Sequence, residues 1–297
     1  MLDKLEFLLA LAREQHFGRA AERCGVTQPT LSAGLKQLEE SLGVLLVNRG
    51  SRFQGFTPEG QRVLDWARRI VGDTRAMRQE VTALRHGLAG RLRIAAIPTA
   101  VAVVASLTTP FRAKHPHVEF TVLSRTSTQI LALLENLEID AGLTYLDNEP
   151  LGRVNTVPLY RESYCLLTAA EAPLGNRKRV TWAELSQLPL CLLTPDMQTR
   201  RIIDGLLQRG NGKPRSTLES DSTILLLAHV RTGQWASILP RKTVEVLGPS
   251  NGTRAIPIIE PDAVYTIGLV VPAREPMTPL NAALVTEARR IAASLGA

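Results

Sequence analysis

The stretch HFGRAAERCGVTQPTLSAGLKQLEESLGVLLVNR, residues 16–49, has the pattern of a helix-turn-helix. Its adjacent alanines are small enough for two helices to pack closely, and Gly25 permits the sharp turn between them. Thr27 is placed to cap the next helix, and Pro29 falls in the first turn, where no backbone donor is lost. We therefore predict a helix over residues 28–41 whose short, polar N-terminal residues suit entry into a DNA major groove.

The flanking sequence predicts the rest of a winged domain. Apolar residues recur at helical spacing over residues 2–14, and a short helix is predicted over 18–24. Residues 44–56 predict two short extended pieces around a Gly-Ser-Arg turn, which would form a wing. Residues 1–58 carry seven Lys and Arg against six Asp and Glu. An approach to DNA therefore depends on the positions of particular arginines rather than on local net charge.

A long helix is predicted after Thr57, its expected N-cap, over residues 59–89. Apolar residues follow one another there at alternating spacings of four and three, the heptad pattern of a helix that packs against another helix. Packing on its own domain is the alternative, but the regularity favours a linker helix that dimerises. The members of this seam are Val63, Ala67, Ile70, Thr74, Met77, Val81, Leu84 and Leu88.

From residue 91 onward, short apolar strands alternate with helices. This alternation predicts parallel sheets covered by helices on both faces. The number of strands favours two lobes, with the chain crossing between them near 158–163 and 259–265. The predicted strands are RLRIAAI, VEFTVLS, IDAGLTYL, YCLLTA, LCLLT, WASILP, RAIPII and YTIGLVV, and the predicted helices lie near 101–114, 127–137, 182–187, 197–209, 222–233, 241–247 and 278–295.

The fold class predicted is thus α/β, with three parts in the chain: a winged helix-turn-helix, a dimerising linker helix and a two-lobed α/β domain. The predicted boundaries are 1–58, 59–89 and 90–297, with lobe 1 at about 90–160 and 265–297 and lobe 2 at about 161–264.

Composition excludes several classes of protein. The net charge of +7 fits an anionic partner loosely. Three widely spaced cysteines suit a reducing cytoplasm, and no metal-ligand spacing or cofactor motif occurs. The first helix carries charge within its apolar run, so no secretory signal is expected, and no apolar run is long enough for a membrane span. GxSxG and P-loop motifs are absent and the five histidines are scattered, so we do not expect an enzyme.

A spaced set of residues resembles the LysR-type transcriptional regulator family, and the resemblance extends over the whole chain. It implies a winged helix-turn-helix, a dimerising linker helix and a two-lobed effector domain similar to periplasmic binding proteins. The chain departs from the family pattern at Gly18, Ala33-Gly34 and Val47, which affects the expected operator sequence. The matching residues are Phe17, Arg19, Ala20, Ala21, Val26, Thr27, Gln28, Pro29, Leu31, Ser32, Leu38, Glu39, Leu42, Gly43, Arg49, Thr57 and Gly60.

By this resemblance, the DNA-binding residues lie on the recognition helix and the wing. Gln28 and Thr30 are the candidates for base contacts, because a Gln amide pairs with adenine and a Thr methyl meets thymine. A helix cap is the alternative role of Gln28, and solvated surface charge is the alternative for each arginine. Pro29, in the first turn of the recognition helix, also belongs to the DNA-binding residues. The candidates for phosphate contact are Arg19, Thr27, Ser32, Lys36, Arg49 and Arg52.

Three strand-to-helix junctions predict an effector cleft, because ligands in α/β domains bind near strand C-termini and helix N-termini. Simple N-capping is the alternative for each hydroxyl. Of the adjacent arginines, we assign Arg201 to the cleft and Arg200 to solvent. A small carboxylate is predicted, and MQTRRIID resembles regulators associated with formate dehydrogenase operons, so formate is the named candidate. The predicted effector-binding residues are Pro98, Thr99, Thr126, Ser127, Thr128, Thr144, Pro195, Met197, Gln198 and Arg201.

Two alternatives to this function remain. One is a redox-sensing regulator that uses Cys165 and Cys191, although both lie in apolar strand patterns typical of buried thiols. The other is a non-specific nucleoid protein. The expected partners are a double-stranded promoter dyad, a small anionic effector and further copies of the chain as a homodimer or homotetramer. RNA polymerase is a further candidate partner, and no membrane is expected.

Overall fold

The chain divides into two units. The computed structural model describes residues 1–48, 53–210, 216–248 and 252–296. Unit 1 consists of Met1–Gly87, Glu135–Glu138 and Arg274–Pro279, and unit 2 of Leu88–Leu134, Ile139–Ala273 and Leu280–Ala297.

Unit 1 contains the predicted helix-turn-helix. Gly25 has a φ of +67°, a left-handed conformation that glycine adopts without strain. Thr27 caps the third helix, because its hydroxyl accepts a hydrogen bond from the backbone N–H of Thr30 (3.4 Å). The first three helices begin and end within a residue of the predicted bounds, whereas the fourth ends at His86, three residues before the predicted end at 89. The helices are α1 (Leu2–Glu14), α2 (Phe17–Arg23), α3 (Gln28–Leu42) and α4 (Pro58–His86).

The wing is attached to α3 by a buried carboxylate. Glu39 on α3 is 4% exposed and accepts hydrogen bonds from the backbone N–H groups of Leu46 (2.9 Å) and Val47 (3.2 Å). Val47 forms an antiparallel bridge with Phe56, which closes the two extended pieces of the predicted wing. Its tip, residues 49–52, lies outside the described residues, and with it the predicted phosphate contacts Arg49 and Arg52.

Only part of the predicted seam on α4 is available to a partner helix. Ala67, together with Leu64 and Val71, is buried in the core of unit 1, because the first turns of α4 pack against α1. Leu88 lies beyond the end of α4. The prediction was therefore wrong at these two seam positions. The apolar side chains that α4 leaves exposed include Ile70, Met77, Val81 and Leu84.

The first sheet of unit 2 is mixed rather than parallel. Its strand order is β2-β1-β3-β11-β4, with β1 parallel to β2 and β3 and with β11 antiparallel to β3 and β4. We call this sheet and its helices the first lobe. Its elements are β1 (Gly90–Ala96), a 3-10 turn (Val101–Val103), α5 (Val104–Lys114), β2 (Val118–Ser124), α6 (Ser127–Glu135), β3 (Ala141–Tyr145), β4 (Val154–Glu162), β11 (Tyr265–Pro272) and α11 (Pro279–Leu295).

The rest of unit 2, the second lobe, contains a four-stranded sheet of order β6-β10-β5-β9 and the parallel pair β7-β8. Strand β5 is antiparallel to β9 and β10. The elements are β5 (Tyr164–Ala169), β6 (Val180–Thr181), α7 (Trp182–Leu185), β7 (Leu190–Leu193), α8 (Gln198–Arg209), β8 (Ser216–Ser220), α9 (Thr223–Arg231), β9 (Ser237–Pro240), α10 (Arg241–Leu247) and β10 (Thr253–Ile259).

The chain crosses between the lobes twice, from β4 to β5 and from β10 to β11, near the two predicted crossings. The prediction of purely parallel sheets was wrong, because β11 returns from the second lobe and pairs antiparallel with β3 and β4. Strands β4, β6 and β8 were not predicted. Among the described residues, no helix is long and apolar enough to cross a membrane.

Candidate functional site

The first turn of α3 presents exposed polar side chains. Thr27, Gln28, Pro29 and Thr30 are all exposed, and Ser32 is half-buried. The hydroxyls of Thr27 and Thr30 lie 2.8 Å apart. Thr27 supplies the helix cap, so the alternative role of Gln28 as the cap does not apply. Within the described part of the chain the Gln28 side chain has no hydrogen-bond partner, which leaves its amide available to a ligand.

Two predicted phosphate-binding cations lie near carboxylates. Arg19 donates a hydrogen bond to the carbonyl oxygen of Glu14 (2.7 Å) and lies 3.8 Å from its carboxylate. This contact holds the Arg19 side chain against the end of α1. Lys36 is exposed on α3, and its Nζ lies 3.7 Å from a carboxylate oxygen of Glu40. Exposed pairs of this kind contribute little energy, so both cations can exchange partners at low cost.

The predicted effector residues differ widely in exposure. Thr126 caps α6, because its hydroxyl accepts a hydrogen bond from the backbone N–H of Gln129 (3.2 Å). This is the N-capping role that was the alternative to effector binding. Ser127 and Thr144 have buried hydroxyls with no hydrogen-bond partner in the described part of the chain. The buried members are Thr99, Thr126, Ser127, Thr144, Met197 and Gln198, whereas Pro98 and Arg201 are at least partly exposed and Thr128 and Pro195 are exposed.

Three of these residues link the lobes or fill a core. The Thr99 hydroxyl lies 3.5 Å from that of Thr199, at the start of α8 in the second lobe. Gln198 donates from Nε2 to the carbonyl oxygen of Asp147 (3.2 Å) in the first lobe. Met197 packs into the apolar core of the second lobe. The structure thus brings Thr99 to the start of α8 and places Met197 in the interior.

A buried tyrosine and glutamate cluster lies beside Thr199, and sequence reasoning missed it. Tyr145 Oη donates to Glu162 Oε1 (2.5 Å) and lies 3.0 Å from Tyr164 Oη and 3.2 Å from Thr199 Oγ1. Tyr160 donates to the other oxygen of Glu162 (3.3 Å). The available signal was the alternation of Tyr160, Glu162 and Tyr164, which places all three on one face of an extended chain.

Burial dominates the electrostatics of this cluster. It raises the pKa of Glu162 from 4.5 to about 7, although the two tyrosine hydrogen bonds act in the opposite direction. Burial and the nearby carboxylate also raise the pKa of Tyr145 and of Tyr164 well above the usual value. No Lys or Arg of the described residues forms an ion pair with Glu162. The cluster therefore offers hydroxyl donors and a carboxyl group whose ionisation is disfavoured, and its carboxyl group has no cationic partner among the described residues.

The two adjacent arginines of α8 both have carboxylate partners. Arg200 is 5% exposed and donates to Asp204 (2.8 Å) and Glu219 (2.9 Å). The assignment of Arg200 to solvent was therefore wrong. The Arg201 side chain is 39% exposed, and its guanidinium group lies 2.6 Å from a carboxylate oxygen of Glu149. The helical period explains why Arg200 is buried and Arg201 more exposed, because Arg200 lies on the same face as the buried residues Ile203 and Leu207.

All three cysteines are free thiols. Burial raises the pKa of Cys165 to about 12 and that of Cys191 to about 11. Burial, with the charge of Glu6 as a smaller cause, raises the pKa of Cys24. Reaction with oxidants requires the thiolate, so these thiols are poorly reactive. The described residues include no cluster of three or more His, Cys, Asp or Glu side chains suited to a metal ion.

A winged helix-turn-helix joined to a two-lobed α/β domain defines a DNA-binding transcriptional regulator. The family described as bacterial regulatory helix-turn-helix protein, lysR family, matches residues 2–61, and the LysR substrate binding domain matches residues 85–293. The chain belongs to the LysR family of transcriptional regulators.

Relatives of known name agree with this assignment. The HTH-type transcriptional regulator YnfL of Escherichia coli is 33% identical over 285 residues, which cover 94% of each chain. A hydrogen peroxide-inducible genes activator of Dickeya chrysanthemi is 29% identical over 267 residues, 90% of this chain and 87% of the relative. The structure of a full-length OxyR cysteine-to-aspartate variant from Pseudomonas aeruginosa is 27% identical, with a TM-score of 0.76, and covers 97% of this chain and 94% of that one.

Proposed function

We propose that the chain is a cytoplasmic, non-enzymatic regulator that binds a promoter dyad as a homodimer or homotetramer and responds to a small anion. In this proposal residues 1–58 bind DNA, 59–89 dimerise and 90–297 bind the effector. The observation that carries the proposal is the exposed Gln28 amide without a partner at the start of a capped helix, within the part of the chain that the structure describes. RNA polymerase is a further proposed partner.

The geometry of α3 supports two kinds of proposed base contact from its first turn. The free Gln28 amide can pair with adenine through one donor and one acceptor. The Thr30 hydroxyl is engaged by Thr27, which leaves the Thr30 methyl group for contact with thymine. Ser32 and Lys36, further along the helix, are proposed to contact phosphates, which position the helix without selecting sequence.

We expect Gln28→Ala to lower affinity for the cognate promoter by about 1–3 kcal/mol, with affinity for random DNA unchanged, because only the base contact is lost. DNase footprinting of the DNA upstream of its own gene, with random DNA as competitor, measures both. Gln61→Ala, an exposed Gln on α4, is the matched control. An unchanged ratio of promoter to random binding in Gln28→Ala would refute the base contact, and sequence-independent protection by the wild type would favour the nucleoid alternative.

The exposed seam of α4 supports the proposed dimer. Met77 is 58% exposed and Leu84 is 82% exposed. A contiguous row of exposed apolar side chains marks an interaction surface. Together with Ile70 and Val81 they keep heptad spacing along one helix. A second copy of the same helix is the partner that such spacing fits.

We expect Met77→Glu to dissociate the dimer, because it places a carboxylate against the partner's apolar seam. Sedimentation velocity at several protein concentrations measures the oligomeric state. Arg78→Glu introduces a carboxylate one residue along, at an exposed position off the seam, and is expected to leave the dimer intact. A Met77→Glu variant that remains dimeric would show that α4 does not form the interface.

The effector response is proposed to be ligand binding rather than thiol oxidation. The peroxide-inducible relatives favour the redox alternative, but the raised pKa values of Cys165 and Cys191 oppose it. The footprint is therefore repeated with formate, a panel of larger carboxylates and hydrogen peroxide. A change in protection with a carboxylate supports the proposal, and a change with peroxide alone favours the redox alternative.

A further inference from the structure

An open cavity of about 290 Å³ lies between three elements of unit 2. Helix α8 of the second lobe forms one wall with Arg201, Gly205, Leu206 and Arg209. The loop after β3 in the first lobe contributes Glu149, and Tyr265 stands at the start of β11, where the chain returns to the first lobe. Its volume lies just below the usual range of small-molecule sites, about 300–1,000 Å³. A ligand here would touch both lobes and one of the strands that connect them.

The open centre of this cavity results from a glycine. Arg201, Gly205 and Arg209 are spaced by four residues, so they lie along one face of α8. A Cβ added to Gly205 would meet no atom within 4 Å. The two arginines lie about 12 Å apart along the helix axis, at a rise of about 1.5 Å per residue. A short groove without side chains thus lies between two guanidinium groups.

The charges of the cavity do not balance. Glu149 accepts hydrogen bonds from Arg201 at 2.6 and 2.9 Å, so this cation is neutralised. Arg209 is exposed and has no side-chain hydrogen bond or ion pair with any residue in the described ranges. Two guanidinium groups against one carboxylate leave a net positive charge. One unpaired cation favours a ligand with a single negative charge.

The remaining walls are apolar or aromatic. Leu206 is buried, and the half-buried Tyr265 ring lies 6.2 Å, centre to centre, from the rings of both Tyr145 and Tyr164. These surfaces suit the body of an organic ligand, whereas inorganic ions make no use of them. Formate is far smaller than the cavity, so a carboxylate of about six to ten non-hydrogen atoms fits its volume better.

The geometry points to this cavity as the site of a small organic monocarboxylate, whose carboxylate group pairs with Arg209 and whose apolar body lies over Gly205 against Leu206 and Tyr265. The inference rests on the proposed function for the response to an anion, and it places that anion away from the hydroxyl-lined junctions of Thr99 and Thr126. Tyr265 connects the ligand to the buried cluster of Glu162 through its ring contacts with Tyr145 and Tyr164.

Calorimetric titration of the full-length protein without DNA tests the site, with phenylacetate, its uncharged amide and formate as probes. We expect phenylacetate to bind, formate to bind more weakly and the amide not to bind. Arg209→Gln is expected to weaken phenylacetate binding by about tenfold or more, since it removes a charge-assisted hydrogen bond. Gly205→Leu is expected to abolish binding by filling the groove.

Arg231→Gln is the matched control, because Arg231 is likewise exposed on a helix and without a side-chain partner in the described part of the chain. Equal binding of the acid and the amide, an unchanged affinity in Arg209→Gln, or no binding of phenylacetate to the wild type would each overturn the site. Binding that depends on Arg209 but leaves the footprint unchanged would support the site and refute the proposed effector response.

Discussion

Glu162→Gln is expected to remove one contribution to the pH dependence of stability, in which the wild type loses about 3 kcal/mol as the pH rises from 4.5 to 7. The folded protein keeps the Glu162 carboxyl protonated up to about pH 7, whereas the unfolded chain releases this proton near pH 4.5. The folded state therefore binds more protons across this interval. The contribution of Glu162 to stability is therefore largest below pH 4.5, falls as the pH rises and levels off above 7.

Urea unfolding at pH 5 and pH 8 measures this effect. The Glu162→Gln variant would carry an uncharged amide in place of the protonated carboxyl, so its stability is expected to lack this contribution to the pH dependence. Glu119→Gln, at an exposed carboxylate on β2, is the matched control and is expected to behave as the wild type. If Glu162→Gln and the wild type lose the same free energy between the two pH values, the buried carboxyl does not titrate as inferred.

Gly60→Ala is expected to destabilise unit 1 by about 3 kcal/mol, the upper range for overpacking. A Cβ at this position would lie 2.0 Å from the carbonyl oxygen of Leu46 and 2.8 Å from its carbonyl carbon. Both are backbone atoms, so no side chain can turn away. The backbone N–H of Gly60 also donates to Thr57 Oγ1 (2.9 Å), so a shift of α4 would break its own cap.

Chemical unfolding followed by circular dichroism, together with the promoter footprint, measures the consequence. We expect Gly60→Ala to lose DNA protection while it still binds phenylacetate, because the proposed cavity belongs to unit 2. Gly205→Ala is the control for stability, since its added methyl group meets open space and alanine favours a helix by about 1 kcal/mol over glycine. Equal stability of Gly60→Ala and the wild type would contradict the close approach of α4 to Leu46.

The sequence by itself determined the DNA-binding part of this protein. Gly25, Thr27 and Pro29 act within a few residues of their own position, so the turn, the cap and the start of α3 follow from local rules. The same holds for the periodicity of most strands and helices of unit 2. Gly60 belonged to the family pattern, but the Leu46 carbonyl that requires a glycine there became evident only in the fold.

Only the tertiary structure decided which distant residues meet. Tyr145, Glu162 and Thr199 come from three separate elements, and their contacts depend on the path of β4, which sequence periodicity did not predict. Likewise, the pairing of Arg201 with Glu149, and the lack of a partner for Arg209 within the described ranges, follow from how α8 packs beside the loop after β3. Caps and periodicity act over one or two turns, whereas such contacts depend on the packing of elements far apart in the chain, which no local pattern encodes.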